Sequence, residues 1–154
     1  MHFDAPEVVA EALRLGERHR VDPEFPLRLI SLRELKSHNS WMHNLPSLMP
    51  TRRTHTARMN SKDAADAGIV SGDHVRISSA AGEIETEALV TDEIIEGTIT
   101  VPHGWGHRNA GWHRANQAGG PKNMLASTEI EDIESLAGMT LLDGISVRID
   151  RIAQ

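Results

Sequence analysis

Cysteine is missing altogether from the 154 residues. Its absence excludes disulfide staples, thiolate metal sites, iron–sulfur ligation and a thiol nucleophile. It is compatible with a reducing cytoplasm, which is the expected location. Tyrosine is also absent, and only two Phe and three Trp occur, so a core has to be built from Ile, Val, Leu, Met and Ala. Positive charge is in deficit, with a formal net charge of −6. A general nucleic-acid binder needs a basic surface for its phosphate contacts, so that class is excluded. One small anionic ligand held by a local cluster of donors is not. No apolar run approaches the roughly 20 residues of a membrane span. The first residues also lack the basic start and long apolar run of a secretory signal. There is no P-loop, no dinucleotide GxGxxG after a strand and no GxSxG nucleophile turn. The carboxylates are scattered over turns and helix ends, without a pair that spacing alone would make an acid–base couple.

What is present separates into three regions. Pro6 to about His19 predicts a helix with Val8, Val9, Ala12 and Leu13 on one face, Asp4 as its cap and Glu7 in its first turn. Val21 to Pro26 reads as a linker. Residues 1–26 are therefore expected to be a peripheral helix and linker, or the remnant of a preceding domain, and residues 27–154 the main domain. In the second region, Leu27 to Ser31 predicts a short strand, followed by a polar, histidine-rich stretch from Arg33 to Arg58. Long irregular stretches in compact domains commonly carry function. Asn60 then caps a short helix that Gly68 ends.

The third region is strand-rich. His74 to Ser78 alternates, with Val75 and Ile77 on one face. A turn at Ala81-Gly82 leads into Glu83 to Val90, where Ile84, Thr86, Ala88 and Val90 alternate. Glu96-Gly97 turns the chain into Thr98 to Val101. A last alternating run, Ile145 to Ile152, follows Gly144. Short strands with tight turns and a few short helices predict a mostly β, closed barrel. The unit from Asp63 to Ile77 reads as architecture, with Ile69 plugging the core.

Four segments could carry chemistry. Arg33 to Asn44 gathers Arg, Lys, Ser, His, Asn and Trp behind a strand. Apart from the Trp ring, these are hydrogen-bonding groups of the kinds that bind phosphate oxygens and the edges of purine or pterin rings. The bland reading is a loop whose Asn and Ser satisfy backbone groups. With no apolar period there, Asn39→Ala and His43→Ala are expected to leave folding nearly undisturbed. Pro102 to His113 places Gly104 and Gly106 around Trp105, where backbone can come close to a ligand. Its three histidines, His103, His107 and His113, allow a histidine-metal enzyme as an alternative. Gly104 and Gly106, however, disfavour the helix that would bring His103 and His107 together. Gly119 to Leu125 and Arg52 to His55 read as solvated loops.

In this order the segments resemble the C-terminal domain of the dimethyl sulfoxide reductase family of molybdopterin oxidoreductases. That group includes formate dehydrogenases, nitrate reductases and acetylene hydratase. The resemblance runs from about Leu27 to Ile152. It rests on LRLIS with Arg33, SHNSWMHN at 37–44, DAADAGIVSGDHVRISSAAGEI at 63–84, VTDEIIEGTITVPHGWGH at 90–107 and GGPKNML at 119–125. The resemblance implies a double-psi β-barrel covering one side of a pair of pyranopterin guanine dinucleotides that carry molybdenum or tungsten. The residues it implies for cofactor contact are Arg33, Ser37, His38, Asn39, Ser40, Trp41, His43, Asn44, His103, Gly104, Trp105, Gly106, His107 and Asn123. It implies no catalytic residue and no protein ligand to the metal here, because that ligand belongs to another domain. The expected partners are the remaining domains or subunits of a parent oxidoreductase, and the chain alone is expected to be inactive. A free-standing small subunit like that of formylmethanofuran dehydrogenases is the other arrangement this resemblance allows.

Overall fold

The computed structural model describes residues 5–18, 21–35, 37–49, 55–106, 120–134 and 136–153. Six strands close into a double-psi β-barrel. They are β1 (Leu27–Leu32), β2 (Thr56–Met59), β3 (His74–Ser78), β4 (Glu83–Val90), β5 (Thr98–Pro102) and β6 (Ile145–Arg151). The order around the barrel is β1-β5-β2-β4-β3-β6. The β1/β5 and β2/β4 pairs are parallel and the other four antiparallel.

Alternation along the strands builds the core. Leu29, Ala57, Met59, Val75, Ile77, Ile84, Ala88, Ile99, Val101, Val147 and Ile149 are buried in one cluster, joined by Ile69. Inward side chains at every second position are what a closed barrel demands. The hairpin, the Glu96-Gly97 turn and the last strand lie where the sequence puts them.

The helix after Asn60, α2 (Ser61–Ala67), also forms as expected. The Asn60 side chain accepts from the Lys62 N–H, and Gly68 ends the helix in the left-handed region at φ 65.

The first helix, α1 (Pro6–Arg18), also forms, with Val9 and Leu13 exposed and Glu11 buried. The capping residue Asp4 lies outside the described residues. Two expectations need correcting. Thr56 to Arg58 fall in the stretch read as irregular, yet they belong to β2, with Ala57 and Met59 inside. Finally, Lys122–Leu125 is a 3-10 helix rather than an open loop, with Lys122 and Leu125 buried. Among the described residues no helix is long and apolar enough to cross a membrane.

Candidate functional site

Topology gathers the polar segments at one end of the barrel. Because β1 and β5 are parallel, with Leu32 opposite Pro102, the stretches that follow them leave the same rim side by side. The His103 N–H donates to the Leu32 carbonyl at 3.1 Å and fastens the two together. β2 runs antiparallel to β5 and parallel to β4, so the starts of β2 and β4 lie at that rim too.

Gly120 and the 3-10 helix come across the same rim. A Cβ on Gly106 would strike Pro121, and one on Gly120 would strike Ile84. Lys122, only 4% exposed, fixes this segment from below. Its ammonium donates to Ser31 Oγ at 2.5 Å, to the Leu142 carbonyl and to Asp143 Oδ1 at 3.3 Å. Burial alone would raise the Asp143 carboxyl. Hydrogen bonds from Ser31 and the Lys122 charge outweigh it and hold the group below its ordinary range.

The stretch after β1 folds into successive turns. The Met42 N–H donates to the Ser37 carbonyl at 3.1 Å, and Ser37 Oγ donates to the Glu34 carbonyl at 2.9 Å. At its tip His38 and Asn39 both take positive φ, 43 and 64. Two consecutive non-glycine residues in the left-handed region are strained, and such strain collects at functional sites. Gly104 makes room for the tip. At φ 88, a Cβ there would lie 2.7 Å from the Asn39 carbonyl oxygen. The freedom of Gly104 and Gly106 is thus used for backbone packing on backbone. The N–H groups of His38, Asn39 and Ser40 meet no acceptor among the described residues. That leaves three consecutive donors, two on the exposed residues His38 and Asn39 and one on the buried Ser40.

The expected site residues divide into two sets. Arg33, His38, Asn39, Trp41, Asn44 and Asn123 are exposed, and His103, Gly104 and Gly106 are half-buried. Trp41 is 71% exposed, with the His38 ring edge-on at 5.6 Å. Ser37, Ser40, His43 and Trp105 are buried and form the floor. His43, 1% exposed, lies 4.6 Å from the Trp105 ring centroid. This burial removes the ground for expecting His43→Ala to spare folding, because the ring packs as a core aromatic does. His107 and His113 lie outside the described residues. No group of three His, Cys, Asp or Glu suited to a metal forms among the described residues.

Glu34, His55 and Thr86 belong to this floor and were not legible as site residues. Glu34 Oε2 accepts from the Trp105 indole N–H at 3.1 Å. His55, which the sequence places in a solvated loop, is 2% exposed, with its ring 6.2 Å from that of Trp105. The Thr86 hydroxyl donates to the His55 carbonyl at 2.9 Å. Its oxygen therefore accepts from Nδ1, 2.7 Å away, and the proton sits on Nδ1. Among the described residues the buried Nε2 has no hydrogen-bond partner. Burial pushes the imidazole pKa down to about 4, so the ring is neutral near pH 7.

This geometry can hold an anion at the 38–40 turn and a flat, hydrogen-bonding ring system beside it, over a packed aromatic floor. A tetrathionate reductase chain of Salmonella typhimurium is 28% identical over 103 residues, which is 64% of this chain and 10% of that protein. The alpha chain of F420-dependent formate dehydrogenase 2 of Methanococcus maripaludis is 31% identical over 81 residues, 51% of this chain and 12% of that protein. The chain thus spans about a tenth of the length of these relatives. Acetylene hydratase from Pelobacter acetylenicus shares the fold, with a TM-score of 0.73 at 23% identity, over 90% of this chain and 20% of that one. Residues 27–139, well over half of the chain, match the family described as molydopterin dinucleotide binding domain, and to that family this chain belongs.

Proposed function

We propose that this chain holds a bis-pyranopterin guanine dinucleotide carrying molybdenum or tungsten against the rim formed by the ends of β1 and β5. It does so as one domain of a larger, cytoplasmic oxidoreductase. Residues 27–154 form the binding domain, and residues 1–26 are a helix and linker beside it. The observation that carries this reading is the strained turn at His38 and Asn39, where three successive N–H groups meet no acceptor among the described residues. Consecutive backbone donors at such a turn suit phosphate oxygens, which accept several hydrogen bonds and carry charge. Arg33 adds an exposed guanidinium close by in sequence. The amides of Asn39, Asn44 and Asn123 offer both donors and acceptors to ring edges, and Trp41 with His38 offers exposed aromatic faces. These donor types fit the cofactor.

The cofactor supplies the redox chemistry when bound. The residues of this chain orient it and shield one side from water. Substrate choice and electron transfer fall to other domains or subunits, in keeping with relatives of which the matched segment makes up only about a tenth. Pyrophosphate and GDP titrations followed by amide NMR test this reading. Shifts centred on the 38–40 amides are expected. Shifts scattered over surface Lys and Arg, or none up to millimolar ligand, would sink it.

A further inference from the structure

Trp105, in the floor beneath the turn, has a polar tie that the cofactor reading leaves unused. Trp105 is 3% exposed, and its indole N–H is directed at the Glu34 carboxylate at 3.1 Å. Through its backbone carbonyl, Glu34 also accepts from Ser37 Oγ at 2.9 Å and from the Ser37 N–H at 3.4 Å. One residue therefore grips both the Trp105 ring and the first residue of the 37–44 turns. The ring in turn packs on His43 at 4.6 Å. Gly104, the residue before Trp105, sits against the Asn39 carbonyl with no space for a Cβ. A hydrogen bond to an ionised acceptor in a half-buried place is stronger than one between neutral groups and more directional than packing alone.

We infer that Glu34 is the positioning residue of the site: by holding the Trp105 indole it sets the height and tilt of the floor on which the left-handed turn at 38–39 rests. Glu34 acts through Trp105 and does not itself touch the ligand. This inference rests on the proposed role of the turn in phosphate binding. Its core claim, that Glu34 sets the conformation of the turn, can be read without any ligand.

The experiment compares the full chain with Glu34→Ala, Glu34→Gln and Trp105→Phe. Glutamine keeps an oxygen that can accept the indole N–H, and phenylalanine keeps an aromatic ring but removes the donor. Three signals are followed by NMR: the Trp105 indole N–H, the amides of 38–44, and the barrel amides of Val75 and Ile77. In Glu34→Ala and Trp105→Phe the 38–44 amides should shift together while the barrel amides stay in place. Glu34→Gln should restore them. Pyrophosphate affinity should fall about tenfold or more in Glu34→Ala and recover in Glu34→Gln. Unchanged 38–44 amides in Glu34→Ala would overturn the inference. So would a Glu34→Gln chain that behaves like Glu34→Ala with its barrel intact. Should the unaltered chain bind no pyrophosphate, the cofactor reading falls, and the 38–44 amides alone still decide the role of Glu34.

Discussion

His55 shows how much a single side chain in this barrel depends on its partners. Its ring is neutral, with Nδ1 donating to Thr86 and Nε2 buried. Its folded pKa, about 4, lies below the ordinary value of 6.5. Between those values the unfolded chain binds a proton that the folded chain refuses, so stability falls as pH drops through that window. The loss should approach ~3 kcal/mol below the folded pKa. Thermal unfolding of the unaltered chain and of His55→Gln, from pH 7 to pH 4, checks this. The carboxylates titrate in both, so the His55 contribution is the difference, and parallel pH profiles would refute it. A second residue-scale prediction concerns truncations. Ile77→Ala should cost about 2–5 kcal/mol by removing methyl groups and leaving a cavity. Asn39→Ala, exposed at the turn, should cost only the left-handed penalty of about 1–2 kcal/mol. His43→Ala strips a buried ring from Trp105 and should fall nearer to Ile77→Ala. Denaturant unfolding of the three variants ranks them.

At the level of elements, glycines distinguish a turn that merely bends from one that supports the site. Gly68 and Gly104 both have positive φ, 65 and 88. A Cβ on Gly68 meets nothing within 4 Å, whereas one on Gly104 meets the Asn39 carbonyl at 2.7 Å. Gly68→Ala should therefore cost only the left-handed penalty, about 1–2 kcal/mol, at the end of α2. Gly104→Ala carries that penalty and also pushes on the 38–40 backbone, so it should cost more and shift the Asn39 and Ser40 amides. Equal melting temperatures for the two variants, with those amides in place, would show that the turn does not rest on Gly104. The 3-10 helix makes the complementary case. Its sequence, KNML, reads as a solvated loop because a lysine in a Gly-Pro context usually is one. Only the folded barrel brings Ser31, Leu142 and Asp143 around that ammonium, and none of them is near Lys122 in sequence.

Over the whole molecule, what was legible follows from how local each signal is. β3 and β4 were readable because Val75/Ile77 and Ile84/Thr86/Ala88 alternate across a tight turn, and the two strands pair with each other. β2 was not. It has only Ala57 and Met59 to mark its inner face, and it is a strand because it lies between β4 and β5, far along the chain. Once β2 is in register, His55 falls on the same inward alternation as Ala57 and Met59, which is why a residue of a basic, polar stretch ends in the core. The sequence marked Ser37 to Asn44 and the segment around Trp105 as candidates, and the fold brings the two to one rim. Their division into exposed donors and a buried floor needed the fold. That division bears on what the chain can do by itself. Its exposed site residues are Arg33, His38, Asn39, Trp41, Asn44 and Asn123, and none is a thiolate or a paired acid and base that could run a redox step without a cofactor. The chain also spans about a tenth of its curated relatives. The purified chain should therefore show no turnover of formate, nitrate or sulfoxide with artificial electron carriers, even when supplied with molybdate and released pterin cofactor. Pyrophosphate should still perturb its 38–40 amides. Turnover above a cofactor-free blank that is lost on replacing Asn39 would show that the barrel alone completes an active site, and the division of labour proposed here would be wrong.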